Sequence, residues 1–139
     1  MRIRSAVIDD YEALCAIDSV AEMSLERRDQ IRSWLGSACC HVAERNGRVV
    51  AYGVLTQHFF GQPFVEMVMV GREFRRQGLA ASIIRHFLSI IAERKLFSST
   101  NMSNRPMQML FAQLGFRPSG YIDNLDENDP EIIFYHEAP

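Results

Sequence analysis

The segment from Arg75 to Ala80 reads Arg-Arg-Gln-Gly-Leu-Ala and could bind a phosphate group. It follows a mostly apolar run that ends at Val70, and an amphipathic helical pattern comes directly after it. The first N–H groups of a helix have no partner within the helix, and the helix dipole makes this end positive. Gly78 permits positive φ and leaves room for a bulky anion. With two arginines adding positive charge, the segment predicts a pyrophosphate site.

The same segment could instead be an arginine-rich surface turn before a buried helix. It matches neither Gly-x-x-x-x-Gly-Lys-Ser/Thr nor Gly-x-Gly-x-x-Gly, which argues against ATP hydrolysis and against a dinucleotide-binding fold. A net charge of −2 and a pI near 6.1 argue against nucleic acid as a partner. Arginine outnumbers lysine by fourteen to one, and arginine is the residue suited to bidentate phosphate contact.

The elements that must position this loop form one domain, which we expect to cover residues 1–139. Cys15, Cys39 and Cys40 lack Cys-x-x-Cys spacing, so we expect no metal site and reduced thiols. The sequence shows neither a signal-peptide pattern at its first residues nor an apolar run long enough for a bilayer. A cytoplasmic protein without a membrane partner is therefore expected.

Periodicity predicts the order β-α-α-β-β-β-α-β-α-β-β, an α/β (α+β) fold with a mixed sheet and helices on both faces. The first helix is predicted from Asp9 or Asp10 to about Val20, and the second between a Ser24 cap and Gly36. Asn46-Gly47 predicts a hairpin. A second turn is predicted at Gly61-Gln62-Pro63, before an apolar strand from Phe64 to Val70. The last strands are predicted at 116–125 and 131–136, after a helix that Gly115 ends.

Two stretches of this sequence together resemble the GNAT acetyltransferase superfamily. The segment Arg75-Arg76-Gln77-Gly78-Leu79-Ala80 matches the family signature Arg/Gln-x-x-Gly-x-Gly/Ala. Downstream, the segment from Asn104 to Phe116 resembles a second signature, which has an Asn, an aromatic residue and then Leu-Gly-Phe. The order of elements agrees from end to end. The resemblance implies a mostly antiparallel GNAT-type sheet of six to seven strands.

The resemblance also implies acetyl-CoA (coenzyme A) as the acyl donor. The strand that ends at Val70 would offer backbone groups to the pantetheine arm, and the loop would bind the pyrophosphate through N–H groups. Asn104 matches the family residue that contacts the cofactor arm, although it could equally cap the helix before Pro106. The implied cofactor-binding residues are Val68, Val70, Arg75, Arg76, Gln77, Gly78, Leu79, Ala80, Asn104 and Phe111.

By the same resemblance, a neutral amine would attack the thioester directly. A typical alkyl amine has a pKa of about 10, so a general base is expected. Glu66 is the candidate, because family members commonly carry a Glu on this strand; a solvent-facing carboxylate or an arginine partner is the alternative. Phe111 departs from the family's Tyr, which protonates the leaving thiolate. Either the thiol, with a pKa of roughly 8.5, leaves nearly unassisted, or the protein is a catalytically silent acyl-CoA-binding module.

Several other residues stay open as alternatives. Tyr121 or Tyr135 could replace the missing hydroxyl, and Cys39-Cys40 could offer a nucleophile. His58 and His86 could each be a base but are more typical of structural positions. The acidic residues Asp126, Glu127, Asp129 and Glu131 could bind a cationic amine or a metal, although a solvated turn is more typical. The first two helices, from residue 10 to 36, would wall the acceptor site by family analogy. The expected partners are a small-molecule or peptide amine and, as one possibility, a second copy in a homodimer.

Overall fold

A computed structural model describes residues 1–37, 39–91 and 94–137. The strands are β1 Arg2–Ser5, β2 Cys40–Arg45, β3 Arg48–Phe59, β4 Gln62–Val70, β5 Leu96–Asn101, β6 Arg117–Ile122 and β7 Glu131–His136. The helices are α1 Tyr11–Ile17, α2 Leu25–Gly36, α3 Leu79–Ile91 and α4 Arg105–Gln113, with short 3₁₀ turns at Ile8–Asp10 and Arg72–Phe74. The predicted order of strands and helices is confirmed.

The seven strands form one mixed sheet in the order β1-β2-β3-β4-β5-β7-β6. The contacts divide the chain into two compact units. The first unit holds Met1–Leu55 and Met67–His86, and the second holds Thr56–Glu66 and Phe87–Pro139. In the first unit β1, β2 and β3 pair antiparallel. In the second unit β5 pairs parallel to β4 and antiparallel to β7, which also pairs with β6.

Two tight hairpins flank β3, and each places two adjacent residues at positive φ. Asn46 and Gly47 have φ of 55° and 75°, which is the backbone of a two-residue hairpin that Asn-Gly favours. The second turn lies at Phe60 and Gly61, with φ of 52° and 75°. The predicted turn at Gly61-Gln62-Pro63 is therefore misplaced, because the turn begins one residue earlier, at Phe60, and Gln62 and Pro63 already belong to β4.

The first helix ends earlier than the sequence predicts. α1 stops at Ile17 because Asp18 leaves the helical region, with φ of −85° and ψ of 107°. The fully buried Asp18 carboxylate accepts hydrogen bonds from the Tyr52 hydroxyl, from Arg27 Nη1 at 3.0 Å and from the amides of Val20 and Ala21. Burial alone would raise the pKa of Asp18, but the hydrogen bonds from Tyr52 and Arg27 outweigh it and lower that pKa.

Both units have aromatic or aliphatic cores that fix the remaining helices. In the first unit α1, α2 and β3 pack through side chains with no exposed surface, which include Leu14, Ile31 and Val54. In the second unit Phe111 of α4 stacks on Phe134 with ring centroids 4.8 Å apart. The two helices with predicted caps behave as expected: the Ser24 hydroxyl accepts from Arg27 N at 3.1 Å before α2, and Gly115, with φ of 90°, follows α4.

Candidate active site

The loop between β4 and α3 is anchored at its first residue. Gly71 N donates to Val50 O at 2.9 Å, and Phe74 N donates to Gly71 O at 2.9 Å. A Cβ atom on Gly71 would lie 3.1 Å from Phe74 Cδ2 and 3.3 Å from Ile17 Cγ2, so the backbone approaches α1 where only a glycine fits without a shift. The loop therefore leaves the sheet from a fixed point.

The predicted phosphate segment forms an exposed turn with two residues at positive φ. Arg76 has φ of 63° and Gly78 has φ of 79°. A Cβ atom on Gly78 would meet nothing within 4 Å, so the space above this residue is open. Leu79 is buried to 2% exposure and holds the start of α3 against the core, while Arg75, Arg76, Gln77 and Gly78 are exposed. This arrangement leaves a cradle that a pyrophosphate could fill.

The electrostatics of this cradle favour an anion. The first N–H groups of α3 have no partner inside the helix, and the helix dipole adds partial positive charge there. Ser82 N and Ser82 Oγ both donate to Gly78 O at 3.0 Å, which turns that carbonyl toward the helix. Within the described ranges, no carboxylate forms a salt bridge with Arg75 or Arg76. Their charge is available to a ligand.

Two arginines outside the loop hold parts of it in place. Arg45 Nη1 donates to Gln77 Oε1, so the Gln77 side chain is tied to the end of β2. Arg48 contacts Glu73 Oε1 at 3.4 Å and lies 5.0 Å from the Phe74 ring centroid. Periodicity along the chain could not have found these contacts, because 32 and 25 residues separate the partners.

The strand residues predicted to meet the pantetheine arm lie at the end of β4. Val68 and Val70 are half-buried. The parallel ladder of β4 with β5 joins Phe64 to Phe97 and Val65 to Ser98, and β4 runs on to Val70. Val70 O accepts a hydrogen bond from Arg75 Nε at 3.2 Å. The backbone of Val70 is thus linked to the first residue of the phosphate segment.

Glu66 lies on β4 in the second unit, where its side chain keeps 31% of its surface exposed. Its Oε1 accepts from Thr56 Oγ1 at 2.9 Å and lies 3.6 Å from His58 Nδ1. Of the two alternatives considered for Glu66, the carboxylate faces solvent, and no arginine pairs with it in the described part of the chain. A carboxylate held by a hydroxyl and open to water can accept a proton directly or through one water.

The two predicted cofactor contacts from the second signature, Asn104 and Phe111, differ in their exposure to solvent. Asn104 is exposed and caps α4, because its Oδ1 accepts from Met107 N at 3.2 Å. Phe111 has no exposed surface and packs between Phe116 and Phe134. The cap reading of Asn104 is confirmed. A cofactor contact for either residue stays a prediction, and the packing of Phe111 gives its ring a structural role.

The surroundings of Cys39 and Cys40, the alternative nucleophiles, and of Tyr121 and Tyr135, the alternative acids, do not favour these roles. Burial raises the pKa of Cys40 to about 12, so this thiol stays protonated near neutral pH. Cys39 Sγ contacts Ser37 Oγ at 2.7 Å. Tyr121 is 64% exposed, and Tyr135 lies under the Arg117 guanidinium. No group of three or more His, Cys, Asp or Glu is placed to hold a metal ion among the described residues.

His86 of α3 and His41 of β2 form a pair in the first unit, with His86 Nε2 3.2 Å from His41 Nδ1. Burial lowers the pKa of both, and the proximity of His86 lowers the pKa of His41 further. The unfolded chain therefore binds protons more readily than the folded one. We expect the free energy of unfolding to be highest above about pH 6.5 and to fall as the pH is lowered through that value.

Guanidinium denaturation from about pH 7.5 to about pH 5.5 checks this expectation. His86→Gln should reduce the slope of stability against pH over this range, because it removes one member of the His41–His86 pair. A denaturation midpoint that stays constant over this range in the wild type would contradict the assignment.

Two features were missed by the sequence analysis. The first is the buried cluster of Asp18, Arg27 and Tyr52 described above. The second is a cavity of about 640 Å³ in the first unit, which borders the loop at Gly71 to Phe74 and not at the phosphate segment. Arg4, Asp10 and Glu44 contribute to its lining, and Arg4 pairs with both carboxylates, with Nη1 2.9 Å from Asp10 Oδ2 and Nη2 2.8 Å from Glu44 Oε2. Alternating or helical patterns carry no signal for either feature.

Comparisons with known proteins agree with this geometry. The model of the acetyltransferase (GNAT) family matches residues 4–116. The crystal structure of a GNAT-family acetyltransferase from Bacillus cereus ATCC 10987 has a TM-score of 0.88 and 33% sequence identity, covering 98% of this chain and 96% of that one. No curated protein matches the sequence. None of the helices described is long and apolar enough to cross a membrane.

Two more distant structures share the fold. The ribosomal-protein-S18-alanine N-acetyltransferase from Escherichia coli has a TM-score of 0.81 at 19% identity, covering 98% of this chain and 92% of that one. A putative streptothricin acetyltransferase from Bacillus anthracis str. Ames, in complex with acetyl coenzyme A, has a TM-score of 0.62 at 15% identity, covering 71% and 61%. From its family match and its fold, this chain belongs to the GNAT family of acyl-CoA-dependent N-acetyltransferases.

Proposed function

We propose that this protein moves an acetyl group from acetyl-CoA to a primary amine of a small molecule or peptide, by direct attack in a ternary complex. The observation that carries the proposal is the open cradle at Gly78, at the positive end of α3 and beside two exposed arginines that form no salt bridge with any described residue. The whole of residues 1–139 would act as one acetyltransferase domain.

In this proposal the cradle holds the pyrophosphate of acetyl-CoA. The N–H groups of Gly78, Leu79 and Ala80 point toward the anion, and the side chains of Arg75 and Arg76 neutralise its charge. Gln77 stays tied to Arg45 and shapes the turn. The backbone of Val68 and Val70 pairs with the pantetheine arm in the manner of an added strand. Acetyl-CoA supplies a thioester, which is an activated acyl donor.

Glu66 would be the general base. It lies on β4 two residues before Val68, and its carboxylate accepts the proton that the amine gives up on attack, directly or through a water. Thr56 would position the carboxylate through its hydrogen bond to Oε1. Because the ring of Phe111 is buried and has no hydroxyl, the departing thiol would leave with its proton supplied by solvent.

The experiment that tests the proposal joins a binding measurement to a turnover measurement. Acetyl-CoA at about a hundred times its dissociation constant should stabilise the protein by about 2.7 kcal/mol, and adenosine monophosphate should do far less. A panel of amines with acetyl-CoA and thiol detection then identifies the acceptor. Thiol release that depends on one amine would exclude the silent acyl-CoA-binding module. No thermal shift at millimolar acetyl-CoA would refute the site.

A further inference from the structure

Four aromatic side chains from four strands contact one another in the second unit. They are Phe59, Phe64, Phe97 and Tyr135, which we call the aromatic shelf. Ring centroids lie 4.9 Å apart for Phe59 and Phe64, 5.1 Å for Phe59 and Phe97, and 6.1 Å for Phe97 and Tyr135. All four residues are half-buried, so part of their apolar surface stays open to solvent. A contiguous apolar surface of this kind is typical of a binding site.

The aromatic shelf lies on the face of the sheet opposite α4. Phe134 and Tyr135 are neighbours on β7, so their side chains point to opposite faces. Phe134 stacks on Phe111 of α4. The Tyr135 ring, and with it the Phe97 ring that it contacts, therefore lies on the other face. A ligand can reach the shelf without displacing α4.

The proposed general base lies on the same face as the aromatic shelf. Glu66 is two residues beyond Phe64 on β4, so the two side chains point the same way. The ladder between β4 and β5 pairs Phe64 with Phe97, which brings Glu66 level with Ser99. Two residues of a strand span about 7 Å, so the shelf begins about this far from the carboxylate along β4. A two-carbon chain between an aromatic ring and an amine nitrogen fits this separation.

A second carboxylate lies beside Ser99. The Ser99 Oγ donates to Glu131 Oε2 at 2.7 Å. Glu131 is four residues before Tyr135 on β7, so its side chain points to the face that carries the shelf. It forms no salt bridge with any described residue, and among those residues Glu66 pairs only with His58, at 3.6 Å. An ammonium group on this face would therefore meet two carboxylates.

The far end of the aromatic shelf carries a cation. Arg117 pairs with Tyr135 across β6 and β7, and its guanidinium lies 5.1 Å from the Tyr135 ring centroid. Glu131 lies at the other end of β7. Because a positively charged nitrogen is repelled by Arg117 and attracted by the carboxylates, it should lie near Glu66 and Glu131. The apolar part of the same ligand would then lie over the shelf.

We propose that the acceptor is a 2-arylethylamine, which is a primary amine joined by two carbons to an aromatic ring. The inference rests on the proposed acetyl transfer and names the class of its acceptor. The ring lies on the aromatic shelf, and Glu131 holds the ammonium beside Glu66. After Glu66 takes a proton, the nitrogen lone pair forms the amide bond to the acetyl carbon. The thioester C–S bond breaks, and coenzyme A leaves as its thiol.

The same chemical group has two sources, a free amine and the N-terminal aromatic residue of a peptide. Both present a ring two carbons away from a primary amine. A free amino acid is a poorer ligand, because its own carboxylate would meet Glu66 and Glu131.

Equilibrium titration with coenzyme A present tests the proposal without turnover. Phenethylamine should bind roughly tenfold or more tightly than propylamine, because its ring gains apolar contact on the shelf. Phenylalaninamide represents the N-terminal residue of a peptide, and phenylalanine should bind more weakly than this amide. Tighter binding of phenethylamine would indicate a free amine as the acceptor, and tighter binding of phenylalaninamide would indicate a peptide.

Two variants separate recognition of the ring from recognition of the nitrogen. Phe97→Ala removes the central ring of the shelf and should weaken phenethylamine by about tenfold while leaving propylamine unchanged. Glu131→Gln keeps an oxygen for the Ser99 hydrogen bond and should weaken both amines by about fivefold, but not the uncharged 2-phenylethanol. Met109→Ala, at an exposed position on α4, is the control and should bind like the wild type. Circular dichroism checks that Phe97→Ala is folded.

Equal affinities for phenethylamine and propylamine would overturn the inference, and so would unchanged phenethylamine binding in both variants. Turnover with acetyl-CoA distinguishes this failure from failure of the proposed function. If propylamine is acetylated as efficiently as phenethylamine, the acetyl transfer stands and the acceptor class is wrong. If phenethylamine binds through the shelf and releases no thiol, the binding site stands and the acetyl transfer is wrong.

Discussion

Gly78→Asp is expected to weaken acetyl-CoA binding by about a thousandfold. The carboxylate would enter open space at the start of α3, where the proposed pyrophosphate lies. Two like unit charges about 4 Å apart repel by about 4 kcal/mol at an effective dielectric constant near 20, which corresponds to a factor of about 1,000 in affinity. The thermal shift on adding acetyl-CoA and a direct titration both measure the change.

Gly78→Asn is the matched control for this variant. Asn has the size and shape of Asp and tolerates the φ of 79° that Gly78 adopts, so the two variants differ only in charge. The neutral side chain should weaken binding far less than the carboxylate. Equal losses in the two variants would mean that bulk, and not charge, acts at this position, and equal affinity to the wild type in both would remove the cradle as the site.

Glu66→Gln is expected to lower kcat by about a hundredfold near neutral pH while leaving acetyl-CoA affinity unchanged. A positioned general base contributes about 10²- to 10⁴-fold, and a partly exposed carboxylate that works through water belongs at the lower end. The amide oxygen still accepts the hydrogen bond from Thr56, so the local structure is preserved. Steady-state kinetics on the identified amine, with acetyl-CoA saturating, measures the effect.

The loss of kcat in Glu66→Gln should also depend on pH. An alkyl amine loses its proton unaided as the pH approaches about 10, so the deficit of Glu66→Gln should shrink as the pH rises. Glu137→Gln, at an exposed position after β7, is the control and should match the wild type throughout. A Glu66→Gln variant as fast as the wild type at neutral pH would remove Glu66 as the base.

The turns and helix caps were predictable from the sequence because they depend on neighbouring residues. Asn46-Gly47 supplies two residues that accept positive φ, and Ser24 supplies the oxygen that a helix start requires. The second hairpin was misplaced because Phe60 is a poor residue for positive φ and gave no local signal. The end of α1 was misplaced because Asp18 is drawn away by Tyr52, 34 residues further along the chain.

The candidate site likewise has a part that depends on neighbouring residues and a part that depends on distant ones. The phosphate segment was predicted from its glycine and two arginines before an amphipathic helix, together with its match to the family signature, and its binding role stays a prediction. The surroundings of Glu66 could not be predicted, since its exposure and its contacts with Thr56 and His58 depend on how β3 folds back beside β4. Burial of the Phe111 ring likewise depends on Phe116 and Phe134, which come from other elements.

The sequence by itself determined the order of strands and helices through local periodicity, and it predicted the family and the loop from Arg75 to Ala80 through their resemblance to the family signatures. Only the tertiary structure decided which arginines are held by a side chain, as Arg45 by Gln77 or Arg27 by Asp18, and which form no salt bridge among the described residues, as Arg75 and Arg76. It also brought the rings of Phe59, Phe64, Phe97 and Tyr135 into contact from four different strands. Local patterns fix local backbone, whereas pairing between distant residues follows from the packing of the whole chain.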